Sequence, residues 1–323
     1  MKVAAFIFLL SSVVYARPEL HLKNGKEIEP DKYIQNLLSL KEDKVKLAKI
    51  AFELSKEMYR SVNVKKDMKV IKSLASAVRK EAKNSLDPDK RIATLNKILF
   101  FQSEFRYDFS DPTAQQPENN LLSLTLKTHK GSCLTMPLLY IAVAQELDWP
   151  IYPVVVQNHI FLRYVTPDGG EINIEATSGG GSYSDSWYAK RFEVSDQAIK
   201  NGTYMKTNSY KEMVGILLQY NAVQYAKQRN HIKAFEYIDA AIELFPANPN
   251  LVMEKAKMLS DISEDFMKRG QLFDSDEIYG EAKKYANKAR SLGFKVIDKN
   301  RYIKEMQEYK AQEDLKKRLP ASM

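Results

Sequence analysis

The sequence predicts an α+β fold, and three features of it do so. Apolar residues recur at helical spacing from Asp31 to Leu99 and again from Tyr210 onward. Residues 151–175 between them read as short strands around a tight turn. Immediately before those strands, Leu134 to Leu147 is apolar nearly all round and reads as a buried helix. The 323 residues can bury a sizeable core and leave room for two domains after any leader. Hydrophobic residues make up 44% and charged residues 28%, with only 12 Gly and 12 Pro, which argues against long disordered tracts.

Each element follows in order. In residues 1–16, Lys2 precedes an apolar run from Val3 to Leu10, and Val14 and Ala16 are small residues where a signal peptidase reads. This segment is expected to be a secretory signal peptide cut after Ala16. The run is too short to span a bilayer, and no other run reaches spanning length. The mature protein is therefore expected to be exported, periplasmic or secreted, with no integral membrane segment. Residues 17–88 form an N-terminal helical region. It is polar to about residue 30, then helical from Asp31 to about Arg60 through Ile34, Leu37, Leu47, Ala51, Leu54 and Met58. A second helix runs from Lys66 to Ala82. Asp87-Pro88-Asp89 starts a third, carrying Ile92, Leu95 and Leu99.

The central domain is expected over residues 89–205. Residues 102–118 hold Asp111-Pro112 and Gln115-Gln116-Pro117 and read as a long loop of the kind that borders sites. Asn119-Asn120 is expected to cap a short helix, Leu121 to Lys127. Gly131 supplies a turn before the buried helix, with Pro137 in its first turn. Ile151–Val156 and His159–Val165 read as strands. Pro167-Asp168-Gly169-Gly170 turns the chain into a hairpin partner, Glu171–Glu175. The glycine run 179–181 and the stretch to about Tyr204 read as loops with a short edge element.

Residues 206–323 read as helical to the end. Leu218, Ala222, Tyr225, Ala234, Ile238, Ala241 and Pro246 fall on the positions of a 34-residue tetratricopeptide repeat. A second, irregular copy is marked by Val252, Ala256, Ala282, Ala286 and Ala289, with too long a gap between Ala256 and Ala282. The tail from about Asn300 to Arg318 reads as a charged capping helix.

Several function classes are set aside by what is present. The formal charge is +8, but the charges are interspersed, so a solvated lysine-rich surface is favoured over nucleic-acid binding. One Cys and scattered His give no metal-ligand spacing, and no nucleotide fingerprint appears, so neither metal nor cofactor is expected.

Cys133 is the single cysteine. An unpaired cysteine in an exported protein is either buried and inert or reactive and useful. A helix N-terminus activates a thiol through its dipole and free N–H groups, and Cys133 has that placement. His159, at the start of a strand, is the natural proton partner. A third residue should orient the imidazole. The hairpin turn places Glu175 opposite about Ile160 to Leu162, within two residues of His159; Asn173 shares that face and is the second choice. His21 and His231 lie elsewhere, and the turn is expected to point His129 outward.

From about Lys90 to Gly181 the chain resembles the transglutaminase-like superfamily of cysteine enzymes, and most of all the bacterial branch that joins such a domain to tetratricopeptide repeats. The residues that carry the resemblance are Asn119, Leu122, Leu126, Gly131-Ser132-Cys133-Leu134, Tyr140, Ala144 and Leu147, then Asn158-His159-Ile160-Phe161-Leu162-Arg163-Tyr164 and Ile174-Glu175-Ala176-Thr177. The resemblance implies a transglutaminase-like, papain-like core, with Cys133 as nucleophile, His159 as general base and acid, and Glu175 as third member. The superfamily usually has Asp there, so Glu175 is a departure. Some members of the branch carry Pro in place of the Cys and cannot be thiol enzymes. The implied reaction is acyl transfer at amide bonds, by hydrolysis or by transfer to an amine. Asn119, Asn120 or Asn173 could add a polar contact to substrate or oxyanion. The expected partners are a peptide or protein substrate, with cell-wall peptide one option, and a protein bound by the helical repeats. The alternative is a non-catalytic interaction module on the same fold.

Overall fold

A computed structural model describes residues 31–296 except residue 115, together with 298, 300, 303–304, 307–308 and 311. The expected signal peptide, the polar stretch to residue 30 and most of the expected C-terminal tail helix lie outside the described residues.

Four helices open the fold: α1 (Lys32–Ser39), α2 (Leu47–Met58), α3 (Val64–Ala82) and α4 (Pro88–Asn96). The starts follow from local chemistry. Asp31, Asn63 and Asp87 each accept a hydrogen bond from a backbone N–H of the first turn, and Pro88 sits where a missing N–H costs little. The helix expected from Asp31 to Arg60 is in fact two, split by a 3₁₀ turn at Glu42–Lys44. Between Ser39 and Lys46 only Leu40 and Val45 are apolar, so the helical stripe lapses there. A π-helical turn, Lys97–Gln102, extends α4.

The expected long loop contains a strand, β1 (Arg106–Tyr107), which pairs in parallel with β2 (Lys130–Gly131). Asn119 and Asn120 lie in a 3₁₀ turn, Pro117–Asn120, and do not cap α5 (Leu122–Thr128); Leu121 occupies that place without a side-chain bond. Helix α6 (Thr135–Gln145) is buried at every residue, as an all-apolar helix requires. Beyond it, β3 (Ile151–Val156), β4 (His159–Val165) and β5 (Glu171–Ile174) form an antiparallel sheet in that order. Its register pairs Val156 with His159 and Leu162 with Ile174. Two short helices, α7 (Asp185–Arg191) and α8 (Asp196–Lys200), stand where loops and an edge element were expected.

The remaining helices are α9 (Tyr210–Lys227), α10 (His231–Leu244), α11 (Pro249–Lys268) and α12 (Leu272–Ser291), packed mainly as α9 with α10 and α11 with α12. Gly215 marks the close approach in the first pair: a Cβ there would stand 2.9 Å from the Ala241 carbonyl. In the second pair each helix runs 20 residues, which accounts for the long interval between Ala256 and Ala282. Ser263 and Ser275 exchange buried hydrogen bonds between them. No helix among the described residues is long and apolar enough to cross a membrane.

One hydrophobic cluster runs from Ile34 to Ala289, so N-terminal, central and C-terminal elements share a core. Polar groups pin it. Gln145, at the buried end of α6, donates to the Val45 carbonyl and accepts from Leu47 N–H. Asn221 of α9 donates to the Leu54 carbonyl at 3.0 Å. Glu57 of α2 takes the hydroxyls of Tyr225 and Tyr237.

Candidate active site

The site is built where the start of α6 meets the β3–β4 turn. Gly131 is required by packing: an added Cβ would stand 2.6 Å from Thr135 Oγ1 and 2.9 Å from the Met136 sulfur. Ser132 then organises the helix start. Its hydroxyl accepts from the N–H groups of Leu134 (3.2 Å) and Thr135 (3.3 Å) and donates to Asn120 Oδ1 (3.0 Å). Cys133 lies in the turn just ahead of α6, half-buried, with Sγ 3.7 Å from the Asn158 carbonyl. Asn158 holds a left-handed backbone, φ +57°, in the two-residue turn between β3 and β4.

His159 opens β4 with its ring buried. Nε2 bonds Glu175 Oε2 at 2.7 Å, leaving Nδ1 for the sulfur of Cys133. Phe192 stacks on the ring, centroids 4.7 Å apart and planes within 10°. Burial acts to lower the imidazole pKa, but the charge of Glu175 and hydrogen bonding to Cys133 and Glu175 outweigh it and push the pKa up to about 10. Glu175 follows β5 as the cap of a 3₁₀ turn, Ala176–Ser178. Burial acts to raise its pKa; His159 and Thr177 prevail and hold it below the usual carboxylate range. All its oxygens are engaged: Oε1 accepts from Thr177 N–H (2.9 Å) and Oγ1–H (2.6 Å), and Oε2 from His159 and the Tyr188 hydroxyl (3.2 Å). The glycine run closes over this carboxylate's backbone, with Glu175 N–H on the Gly181 carbonyl and Gly180 N–H on the Glu175 carbonyl. Gly180 has φ +82° and no room for a Cβ against Asn96.

Cys133, His159 and Glu175 are thus brought together, although the strand expected to run to Glu175 ends at Ile174 and Glu175 caps the turn that follows. The other expected residues are placed differently. Asn173 accepts from Arg163 Nε and donates to Asp185 and the Tyr183 carbonyl, so it belongs to an arginine cluster. The amide of Asn119 donates to Asp111 at 2.8 Å. Asn120 turns its acceptor oxygen to Ser132 and its nitrogen to the Ala114 carbonyl, so it presents no donor through Ser132. Nor does His129 point outward: it is half-buried, stacked on Phe105 and bonded to the Ser103 carbonyl. The sequence assigns no role to Tyr188 or Phe192, and names Thr177 only among the residues of the resemblance. Thr177 has a signal, two residues past the acid; Tyr188 and Phe192 have none, because α7 is too short to show a helical period. Among the described residues, no group of three or more His, Cys, Asp or Glu is placed to hold a metal ion.

Residues 66–219, from within α3 to within α9, match the family model of the transglutaminase-like superfamily. A UPF0162 protein of Buchnera aphidicola subsp. Baizongia pistaciae (strain Bp) is similar at 20% identity over 225 residues, covering 69% of this chain and 82% of that protein. No solved structure matches the chain.

Proposed function

We propose that the protein is an exported cysteine enzyme that transfers acyl groups at amide bonds, with Cys133 as nucleophile, His159 as general base and acid and Glu175 as the residue that orients and charges the ring. The observation that carries this reading is the buried His159–Glu175 pair at 2.7 Å with its second ring nitrogen left to the Cys133 sulfur. The ring stands beside Cys133, where it can take the thiol proton and return it to a leaving group. In the forward step Sγ attacks the amide carbonyl carbon, and the Cys133 N–H, at the open start of α6, faces the developing oxyanion. The C–N bond breaks as His159 gives its proton to the leaving amine, and a thioester remains. Water or a second amine, deprotonated by His159, attacks the thioester and releases the thiolate. Ser132 already occupies the Leu134 and Thr135 N–H groups, so Cys133's own N–H is the donor assigned here.

Export rests on the sequence of residues 1–16, and a substrate of peptide or protein class, cell-wall peptide included, rests on the amide chemistry and that compartment. The helices from α9 onward, read as tetratricopeptide-like, would bind the protein partner. The test is alkylation of Cys133 by iodoacetamide at mildly acidic pH. Rapid labelling that is lost in His159→Ala supports the enzyme. Labelling only after denaturation defeats it and leaves a non-catalytic interaction module.

A further inference from the structure

Helix α7 sends two side chains into the candidate site from one short segment. Tyr188 is fully buried, its ring stacked on Phe161 with centroids 3.7 Å apart, and its hydroxyl donates to Glu175 Oε2, the same oxygen that bonds His159. Phe192, directly after the helix, lies flat on the imidazole. The helix is fixed from its other end, where Asp185 takes Arg163 Nη2 at 2.7 Å and the amide of Asn173 at 2.7 Å. Arg163 is itself buried on β4, four residues from His159 and on the same face. One helix thus ties the arginine cluster to the carboxylate that faces the histidine.

We propose that α7 is the positioning element of this site and that the Tyr188 hydroxyl, acting through Glu175, sets the proton affinity of His159. The inference rests on the thiol–imidazole reading above. A donated O–H spreads the carboxylate charge, so Oε2 attracts the ring proton less than a bare carboxylate would. The groups that face the ring are Cys133 ahead of α6, Glu175 after β5 and Phe192 after α7; Tyr188 faces it only through the shared oxygen. Tyr188 is therefore a positioning residue, and its effect should be read in proton affinity.

The experiment follows the His159 ring by NMR with labelled histidine, in the full chain, from pH 5 to above pH 11. In Tyr188→Phe the ring and its stacking remain while the hydroxyl goes, and the midpoint of His159 should rise by roughly half a unit to one unit. Incorporating 3-fluorotyrosine at position 188 makes the phenol a stronger donor with little change of shape, and the midpoint should fall. Opposite shifts in the two proteins are the expected result. A midpoint unmoved in both, or moved in the same direction in both, overturns the inference. The fluorinated protein keeps the test usable where Tyr188→Phe does not fold. Alkylation of Cys133 indifferent to His159→Ala is a separate result that would overturn the thiol reading, so the two failures are told apart.

Discussion

Strand β4 carries two ion pairs on one face, four residues apart, and they are built in opposite ways. At His159–Glu175 both partners are buried, with side-chain exposures of 7% and 5%. At Arg163 only the cation is buried, at 4%; its acids Asp185 and Glu171 are 56% and 45% exposed. A buried pair has no water to replace a lost partner, so each member fixes the charge of the other. The arginine pairs face solvent on one side, and Arg163 stays charged whatever its partners do. The first pair can therefore respond to a proton, whereas the second can only hold elements together.

The largest expected effect tests the first pair directly. Replacing His159 by Ala should slow Cys133 alkylation and any amide turnover by roughly 10² to 10⁴-fold, measured by mass spectrometry over time. Next comes Glu175→Gln. Only Cys133 then opposes burial at the ring, so the His159 midpoint should fall well below about 10, and urea denaturation at neutral pH should show a loss of about 3 kcal/mol. Arg163→Met should cost about 2 kcal/mol in the same measurement, through its lost bonds to Asn173, Thr207 and the Met205 carbonyl. Asp185→Asn should cost under about 1 kcal/mol, because the carboxylate is more than half exposed. Equal losses for Glu175→Gln and Asp185→Asn would erase the distinction between the pairs.

The pH dependence separates them further. His159 has a folded pKa raised above its unfolded value, so its contribution to stability is complete below pH 6.5 and is lost as pH rises toward about 10. Glu175 has a lowered pKa, so its contribution is present above pH 4.5 and is lost as pH falls below that through its folded value. Urea midpoints measured against pH should show a plateau between about 4.5 and 6.5, and Glu175→Gln should flatten both edges.

The sequence carried the centre of this site because its spacing rules are local. A two-residue-period hairpin about Pro167–Gly170 puts Glu175 beside the start of β4 whatever the rest of the chain does, and a helix apolar on all sides must be buried. What stayed hidden depends on distant partners. Asn173 shares a strand face with Glu175, yet the face divides between two clusters, and only the position of Asp185 shows where the division falls. Asn119 and Asn120 look like caps by residue type, but their acceptors and donors are taken by the loop and by Ser132. Helix α7 is too short for a periodic signal, so its tyrosine gave no hint of the carboxylate beneath it. Similarly, β1 is only two residues long and is defined by its partner β2, more than twenty positions later.

Glu57 bears on how the chain is made. It sits in the second helix, yet the hydroxyls that satisfy it belong to Tyr225 and Tyr237, 168 and 180 positions further on. The Leu54 carbonyl likewise waits for Asn221. Until the ribosome has released α9 and α10, α2 presents an apolar face and a carboxylate without these mates. Loop closure over such a span is slow. The Cys133 segment therefore emerges before the helices that complete this core.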